Sequence, residues 1–214
     1  MKDLDRQQER QSLVNQQLAS RDIDDPQVLA AMGRVARHEF VQPQHRSKAY
    51  DDCALPIGHR QTISQPYIVA LMTQLVAPQA DSVALDVGSG SGYQAAVLAE
   101  IVDKVYSIEI VDALAHQASA RLKRLGYHNA EVRAGDGYQG WPEQAPFDVI
   151  ILAAAPDHIP SPLIEQLKPG GKLVLPVGDQ RQVLMLIEKR SDGRLHEQAI
   201  IPVVFVPMTG PSLR

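Results

Sequence analysis

The sequence has very little with which to cross-link the chain, bind a metal or anchor it in a membrane. Cys53 is the only cysteine among 214 residues, which excludes an internal disulfide framework and indicates a reducing compartment. The seven histidines are scattered without metal-ligand spacing, and one cysteine cannot complete a zinc site, so we expect no metal. No apolar run approaches the roughly 20 residues that a membrane-spanning helix needs.

The sequence also has no excess of positive charge. The chain carries 21 Lys and Arg against 25 Asp and Glu, a net charge of −4. This balance does not predict the basic surface that binds duplex nucleic acid. The segment Met1–Arg10 is too polar for a signal peptide or a transit sequence. We expect a cytoplasmic monomer with neither a nucleic-acid nor a membrane partner.

The first part of the chain, residues 1–66, predicts a helical extension. A polar, weakly amphipathic helix is expected over Asp3–Ser20, and Pro26 opens a second short helix. Phe40–Pro66 predicts a long irregular segment, and long ordered loops in compact domains tend to be functional. We expect this extension to pack over the rest of the molecule.

The second part, residues 67–214, alternates between strand and helix patterns. This alternation, with a turn at Arg190–Gly193 before the last strand, predicts an α/β fold: a mostly parallel, doubly wound sheet that ends in an antiparallel hairpin. The predicted strands are Val83–Val87, Val105–Ile110, Ala130–Ala134, Phe147–Leu152, Leu173–Val177, Val183–Glu188 and Ile200–Val206, and the predicted helices are Ile68–Val76, Gln94–Ile101, Val111–Leu125 and one that opens at Ser161-Pro162.

Within the stretch Ala84–Tyr93, an apolar strand pattern runs directly into three glycines, Gly88, Gly90 and Gly92. Glycine adopts positive φ without steric cost and lets a ligand approach the backbone closely. A strand that ends in this way and opens a helix forms a nucleotide-binding turn at the carboxyl edge of the sheet. The sequence therefore predicts a nucleotide-like cofactor.

Three acidic residues fall where a nucleoside would need them. Asp86 comes just before the glycines, Glu109 ends the second predicted strand, and Asp136 follows the third. A carboxylate at the position of Glu109 can accept hydrogen bonds from both ribose hydroxyls. Asp136 can accept one from an adenine amino group while Gly137 lets the ring approach.

The spacing of the glycines narrows the choice of cofactor. A dinucleotide fingerprint is G-x-G-x-x-G, but Tyr93 stands at its third glycine, and no lysine follows as in a phosphate-binding loop. S-adenosylmethionine, which has an adenosine but no phosphate, suits a turn with acids nearby. From this turn alone, NAD remains the alternative.

Several segments resemble the protein-L-isoaspartate O-methyltransferases, and the matches extend from about Val35 to Thr209. The glycine turn is shared by many methyltransferases, whereas Leu55–Gly58 with Gln61–Ser64 is more specific because it lies outside the shared sheet. The matching segments are Tyr50–Tyr67, Ala84–Tyr93, Ala134–Pro142, Pro169–Gly178 and Val203–Thr209.

This resemblance implies a Rossmann-like class I methyltransferase fold and a protein-repair enzyme. The family transfers a methyl group from S-adenosyl-L-methionine, leaving S-adenosyl-L-homocysteine, to the free α-carboxyl of L-isoaspartyl residues, and more weakly D-aspartyl residues, in damaged proteins. In this family the N-terminal extension carries the loop that covers substrate and cofactor.

The resemblance also implies site residues. Ser64 takes the place of the active-site serine. Arg60 departs from the family, which usually has a small or amide residue there, and we expect it to point into water. The implied cofactor contacts are Thr62, Ile63, Asp86, Gly88, Gly90, Glu109, Asp136, Gly137 and Thr209, of which Thr209 lies near the substrate pocket.

Ser64 is expected to orient the acceptor rather than to attack it. A carboxylate is almost fully ionised at neutral pH, so its methylation needs no general base. No histidine or acid stands beside Ser64 in the sequence as a triad would require. Two other functions stay open at this point: a nicotinamide oxidoreductase built on the same sheet, and a non-catalytic module that binds S-adenosylmethionine.

Overall fold

The computed structural model describes residues 4–210. Asp3, at the start of the first predicted helix, and residues 211–214 of the predicted core lie outside the described residues. Helix α1 (Leu4–Ser12) continues as a π-helix over Leu13–Leu18. Helix α2 (Pro26–Arg34) begins after Asp25, whose side chain accepts hydrogen bonds from backbone N–H groups of the first turn.

The segment Phe40–Pro66 is more regular than the sequence predicted. It contains an antiparallel hairpin of β1 (Leu55–Gly58) and β2 (Gln61–Ile63). The turn places His59 and Arg60 at φ of 51° and 59°, a conformation that residues with a side chain rarely adopt. Because His-Arg is not one of the residue pairs, such as Asn-Gly or Asp-Gly, that mark a two-residue hairpin turn, the sequence pattern missed the hairpin.

The remaining elements form the main sheet and its helices. Short 3₁₀ turns cover Arg37–Glu39, Pro43–Lys48, Gly137–Gln139 and Pro142–Gln144. The helices are α3 (Pro66–Val76), α4 (Tyr93–Ala99), α5 (Asp112–Arg124) and α6 (Ser161–Glu165). The strands are β3 (Val83–Val87), β4 (Lys104–Glu109), β5 (Ala130–Ala134), β6 (Phe147–Leu152), β7 (Leu167–Val177), β8 (Gln182–Lys189) and β9 (Leu195–Val203).

The main sheet has seven strands in the order β5-β4-β3-β6-β7-β8-β9. Strands β5, β4, β3, β6 and β7 are parallel, whereas β8 runs antiparallel to both β7 and β9. This confirms the predicted mostly parallel sheet with a C-terminal antiparallel hairpin.

The last strand ends earlier than predicted. The pattern indicated a strand over Ile200–Val206, but β9 stops at Val203 and the chain then leaves the sheet. The Ala155 N–H donates to the Val206 carbonyl, and the Met208 N–H donates to the Ala155 carbonyl at 2.7 Å, which fixes the chain beside the end of β6. An apolar run does not distinguish a sheet residue from one that packs over a strand end.

Alternate residues of the central strands contribute to two hydrophobic clusters, one on each face of the sheet. Ala84 and Val149 belong to the first cluster, and Leu85 and Ile150 to the second. The first cluster also contains apolar residues of the π-helix Leu13–Leu18, α2 and the hairpin, so the N-terminal extension packs on that face. Within the described residues, no helix is long and apolar enough to cross a membrane.

Candidate active site

The reversal of strand order beside β3 creates the site. The chain adds β4 and β5 on one side of β3 and then crosses to place β6 on the other. Ligands of such sheets bind in the crevice outside the carboxyl ends of the strands at this reversal. A cavity of about 470 Å³ opens there, lined by the strand ends at Val87, Ile108 and Ala153. That volume suits a small-molecule cofactor.

The glycine turn forms the floor of the cavity. Gly88, Gly90 and Gly92 have φ of 92°, 50° and 85°, so each adopts the positive φ that the pattern predicted. The N–H groups of Gly88 and Ser89 both donate to the Ile108 carbonyl, at 2.8 and 3.1 Å. The turn is therefore tied to the end of β4, and both Gly88 and Gly90 line the cavity.

Glu109 links this turn to the start of α5. Its Oε2 accepts the Gly90 N–H at 2.7 Å, and its Oε1 accepts the Val111 N–H at 2.9 Å. The side chain is buried but lines the cavity. A carboxylate has about four acceptor positions, so each oxygen retains capacity for a ligand donor. Glu109 can both hold the turn and bind the two hydroxyls of a ribose.

Asp86 lies behind the glycine turn and is not among the residues that line the cavity. It is fully buried, and its Oδ2 accepts the Ser107 hydroxyl at 2.6 Å. The Ser107 hydroxyl is in turn 2.5 Å from that of Ser89, which does line the cavity. Among the described residues, these two serines are the hydrogen-bonded link between Asp86 and the cavity. Burial raises its pKa from 3.8 to about 7.

Asp136 and Gly137 follow the end of β5. Gly137 lines the cavity, whereas Asp136 does not, and its Oδ1 accepts the Tyr138 N–H at 3.0 Å. A Cβ on Gly137 would lie 2.5 Å from Val87 Cγ1 and 3.1 Å from Met208. The glycine is thus required by packing against these neighbours, a reason that the sequence did not suggest.

The hairpin and the C-terminal segment cover the cavity. Thr62, Ile63 and Ser64 line one side, and Pro202–Thr209 lines another. Among the described residues, no group hydrogen-bonds the Ser64 hydroxyl, so no histidine or acid activates it as in a triad. Arg60 is exposed and lies outside the cavity lining, as expected of a side chain in water.

Comparison with known proteins decides the family. Residues 8–213 match the family model described as protein-L-isoaspartate(D-aspartate) O-methyltransferase. The chain belongs to this family. It is 58% identical over 188 residues to Protein-L-isoaspartate O-methyltransferase 2 of Syntrophobacter fumaroxidans, a match that covers 87% of this chain and 76% of that one. It is 57% identical over 206 residues to the corresponding enzyme of Opitutus terrae, covering 95% and 88%.

A solved structure supports the same assignment. The putative protein-L-isoaspartate O-methyltransferase of Plasmodium falciparum, in complex with S-adenosyl-L-homocysteine, is 28% identical and superposes with a TM-score of 0.81. The match covers 94% of this chain and 98% of that chain. Membership of the methyltransferase family confirms the resemblance seen in the sequence and the predicted Rossmann-like class I fold. It decides against a nicotinamide oxidoreductase.

Sequence reasoning missed several cavity residues of this family member. Tyr93 and Gln94, at the start of α4, line the cavity. The pattern placed Tyr93 at the end of the glycine turn and Gln94 at the start of a helix, and gave neither side chain a place in the site. Val204, Phe205 and Val206 line it because they leave the sheet. The only indication in the sequence that Val204–Val206 belong to the site was the resemblance of Val203–Thr209 to the family. Within residues 4–210, no three His, Cys, Asp or Glu side chains are grouped so that they can share a metal ion.

Replacing Asp86 by asparagine is expected to change how stability depends on pH. Burial raises the pKa of Asp86 from 3.8 to about 7, so between these values the folded protein keeps a proton that the unfolded chain releases. The free energy of unfolding therefore falls as pH rises through this window and levels off above it. Asp86→Asn cannot ionise and lacks this decline. Thermal unfolding of the cofactor-free protein at about pH 5 and about pH 8 measures the difference.

The matched control is Asp81→Asn, which removes an exposed carboxyl close to the start of β3. Its unfolding temperature is expected to follow that of the parent protein at both pH values. Parallel curves for Asp86→Asn and the parent protein would show that Asp86 is ionised in the fold throughout this range.

Proposed function

We propose that the chain transfers a methyl group from S-adenosyl-L-methionine to the free α-carboxyl of L-isoaspartyl residues, and more weakly of D-aspartyl residues, in damaged proteins. This step starts the return of isomerised sites to normal aspartate. One observation carries the proposal: in a member of this family, Ser64 and the glycine turn line the same cavity from opposite elements.

The residues of the cavity fit S-adenosylmethionine. Glu109 offers a buried carboxylate with remaining acceptor capacity for the ribose, and Gly137 borders the place for the adenine, with Asp136 beside it. Gly88 and Gly90 let the methionine end approach the backbone, and Asp86 supports the turn from behind. When bound, S-adenosylmethionine supplies the methyl group, which is attached to a sulfonium sulfur and therefore has a good leaving group.

Ser64 is proposed to orient the acceptor. The substrate carboxylate is ionised at neutral pH, so the protein has to place it in line with the methyl and replace the water that it loses. The Ser64 hydroxyl has no partner among the described residues and can donate to that carboxylate. Alignment of two bound reactants contributes roughly 7–11 kcal/mol relative to reaction in solution.

The other elements are proposed to enclose this reaction. Residues 1–66 form an extension whose hairpin covers the cofactor through Thr62 and Ile63, and residues 67–214 form the methyltransferase core. Thr209 borders the cavity at the C-terminal segment, where the substrate peptide enters. We place the protein in the cytoplasm as a monomer, and its lone cysteine suits a reducing compartment.

A methyl-transfer assay with paired peptides tests the function. The protein is incubated with methyl-labelled S-adenosylmethionine and one of two peptides that differ only in carrying Asp or isoAsp. Label is expected on the isoAsp peptide alone. Cofactor binding without transfer would indicate a non-catalytic binding module, and absence of cofactor binding would contradict the proposal altogether.

A further inference from the structure

Arg37 is a buried cation that the proposed chemistry does not use directly. Its side chain is fully buried, and the residue opens the 3₁₀ turn that follows α2. Within the described part of the chain, no carboxylate lies within ion-pair distance of it, and its Nε has no acceptor. Burial lowers the pKa of its guanidinium, yet arginine stays charged in proteins. Asp52 attracts the guanidinium without forming an ion pair with it, and a buried charge that lacks a paired carboxylate is costly unless other groups solvate it.

Backbone carbonyls of the segment around Ser64 provide that solvation. Arg37 Nη1 donates to the Ala49 carbonyl at 2.6 Å, and Nη2 donates to those of Cys53 and Ser64, each at 3.0 Å. The planar guanidinium has five donors in a fixed fork, so it can join three separate points of the chain. Arg37 therefore ties the backbone of Ser64 to the preceding loop.

The same loop also holds the residues that follow Ser64. Asp52 Oδ1 accepts the Tyr67 N–H at 2.9 Å, and Oδ2 accepts the Gln65 side-chain amide at 2.7 Å. Ser64 and the residues after it are thus held against one short stretch of chain, and Arg37 makes the contact with the Ser64 carbonyl itself.

Arg37 also lies near the donor side of the cavity. Its guanidinium carbon is 5.6 Å from the ring centroid of Tyr93, within cation–π range. Tyr93 directly follows the glycine turn and is buried. One side chain therefore contacts both the segment that carries Ser64 and the residue next to the cofactor turn.

We propose that Arg37 is a positioning residue that holds the backbone of Ser64 so that its hydroxyl faces the acceptor carboxylate. The inference rests on the proposed function of Ser64. An arginine that only joined these carbonyls would affect the stability of the protein and leave the turnover of the folded fraction unchanged. A positioning role instead predicts that changes at Arg37 act on turnover through Ser64.

A double-mutant cycle tests this role. Arg37→Lys keeps the charge but loses the fork, and it is measured alone and together with Ser64→Ala. Alone, it is expected to lower kcat on the isoAsp peptide by roughly tenfold, with the Kd for S-adenosyl-L-homocysteine changed less than about threefold. In the Ser64→Ala background, the same change is expected to alter kcat by less than about twofold.

Folding is controlled in two ways. First, turnover is normalised to the fraction of protein that binds S-adenosyl-L-homocysteine. Second, if Arg37→Lys does not fold, the cycle is repeated with Arg37→Gln, which removes the buried charge but keeps two hydrogen-bond donors. The matched control is Arg34→Lys, an exposed arginine on α2 that pairs with Glu100 and is expected to leave kcat unchanged.

The outcomes separate this inference from the proposed function. Equal losses of kcat in both backgrounds, or equal losses of kcat and cofactor affinity, would overturn the positioning role alone. If Ser64→Ala itself leaves kcat unchanged, the proposed role of Ser64 fails and the role of Arg37 with it.

Discussion

Replacing Ser64 by alanine is expected to lower kcat on an isoAsp peptide by roughly 10- to 100-fold, because a hydrogen bond to a charged group contributes about 1.5–3 kcal/mol. Ser64 lines the cavity opposite the glycine turn, and no described protein group uses its hydroxyl. The substitution is therefore expected to remove a hydrogen bond to the acceptor carboxylate. The Kd for S-adenosyl-L-homocysteine, measured by calorimetry, is expected to change by less than about threefold.

The matched control for this experiment is Ser161→Ala, which removes an exposed hydroxyl at the start of α6 outside the cavity lining. It is expected to retain full turnover. If Ser64→Ala loses turnover and cofactor affinity equally, Ser64 stabilises the loop and does not specifically orient the acceptor. A complete loss of activity to the level of the uncatalysed reaction would instead indicate a nucleophile.

Replacing Glu109 by glutamine is expected to weaken binding of S-adenosyl-L-homocysteine by roughly 100-fold, because two hydrogen bonds to a charged acceptor are lost or weakened at about 1.5 kcal/mol each. The change also places an amide N–H₂ opposite the N–H of Gly90 or Val111, both of which now donate to the carboxylate. Two donors then face each other, and the glycine turn loses its link to α5. Calorimetric titration with the product measures the loss.

Asp112→Asn serves as the control, since Asp112 is an exposed acid in the first turn of α5, close to Glu109 in the chain but outside the cavity. Its Kd is expected to stay near that of the parent protein. A Glu109→Gln protein that unfolds at the parent temperature and binds the product equally well would exclude a ribose-binding role for Glu109.

Much of the cofactor side of the site could be predicted because its residues are close in sequence to strand ends. Gly88, Gly90 and Glu109 follow β3 or end β4, and parallel strands bring such residues to one edge of the sheet. Asp86 shows the limit of that reasoning. It precedes the same turn, but the alternation of side chains along β3 directs it to a buried position beside Ser107.

The acceptor side depended on a resemblance rather than on a pattern. The hairpin of β1 and β2 turns through His59 and Arg60 at positive φ, and this pair does not mark a two-residue hairpin turn as Asn-Gly does. The contact of Arg37 with the Ser64 carbonyl spans 27 residues of chain, and no local pattern indicates such a contact. A charged residue in a sequence is expected at the surface, and only its surroundings show that it is buried.

By itself, the sequence determined the order of strands and helices, the glycine turn and the acids at the strand ends, since these depend on periodicity and backbone conformation within short segments. The resemblance of several segments to protein-L-isoaspartate O-methyltransferases indicated the family. Only the tertiary structure decided which side chains reach the cavity: it turned Asp86 away, lifted Val204–Val206 off the sheet to line the cavity, and buried Arg37 against the backbone of Ser64. These outcomes depend on packing between distant segments, where burial and hydrogen-bond satisfaction are settled for the whole chain at once.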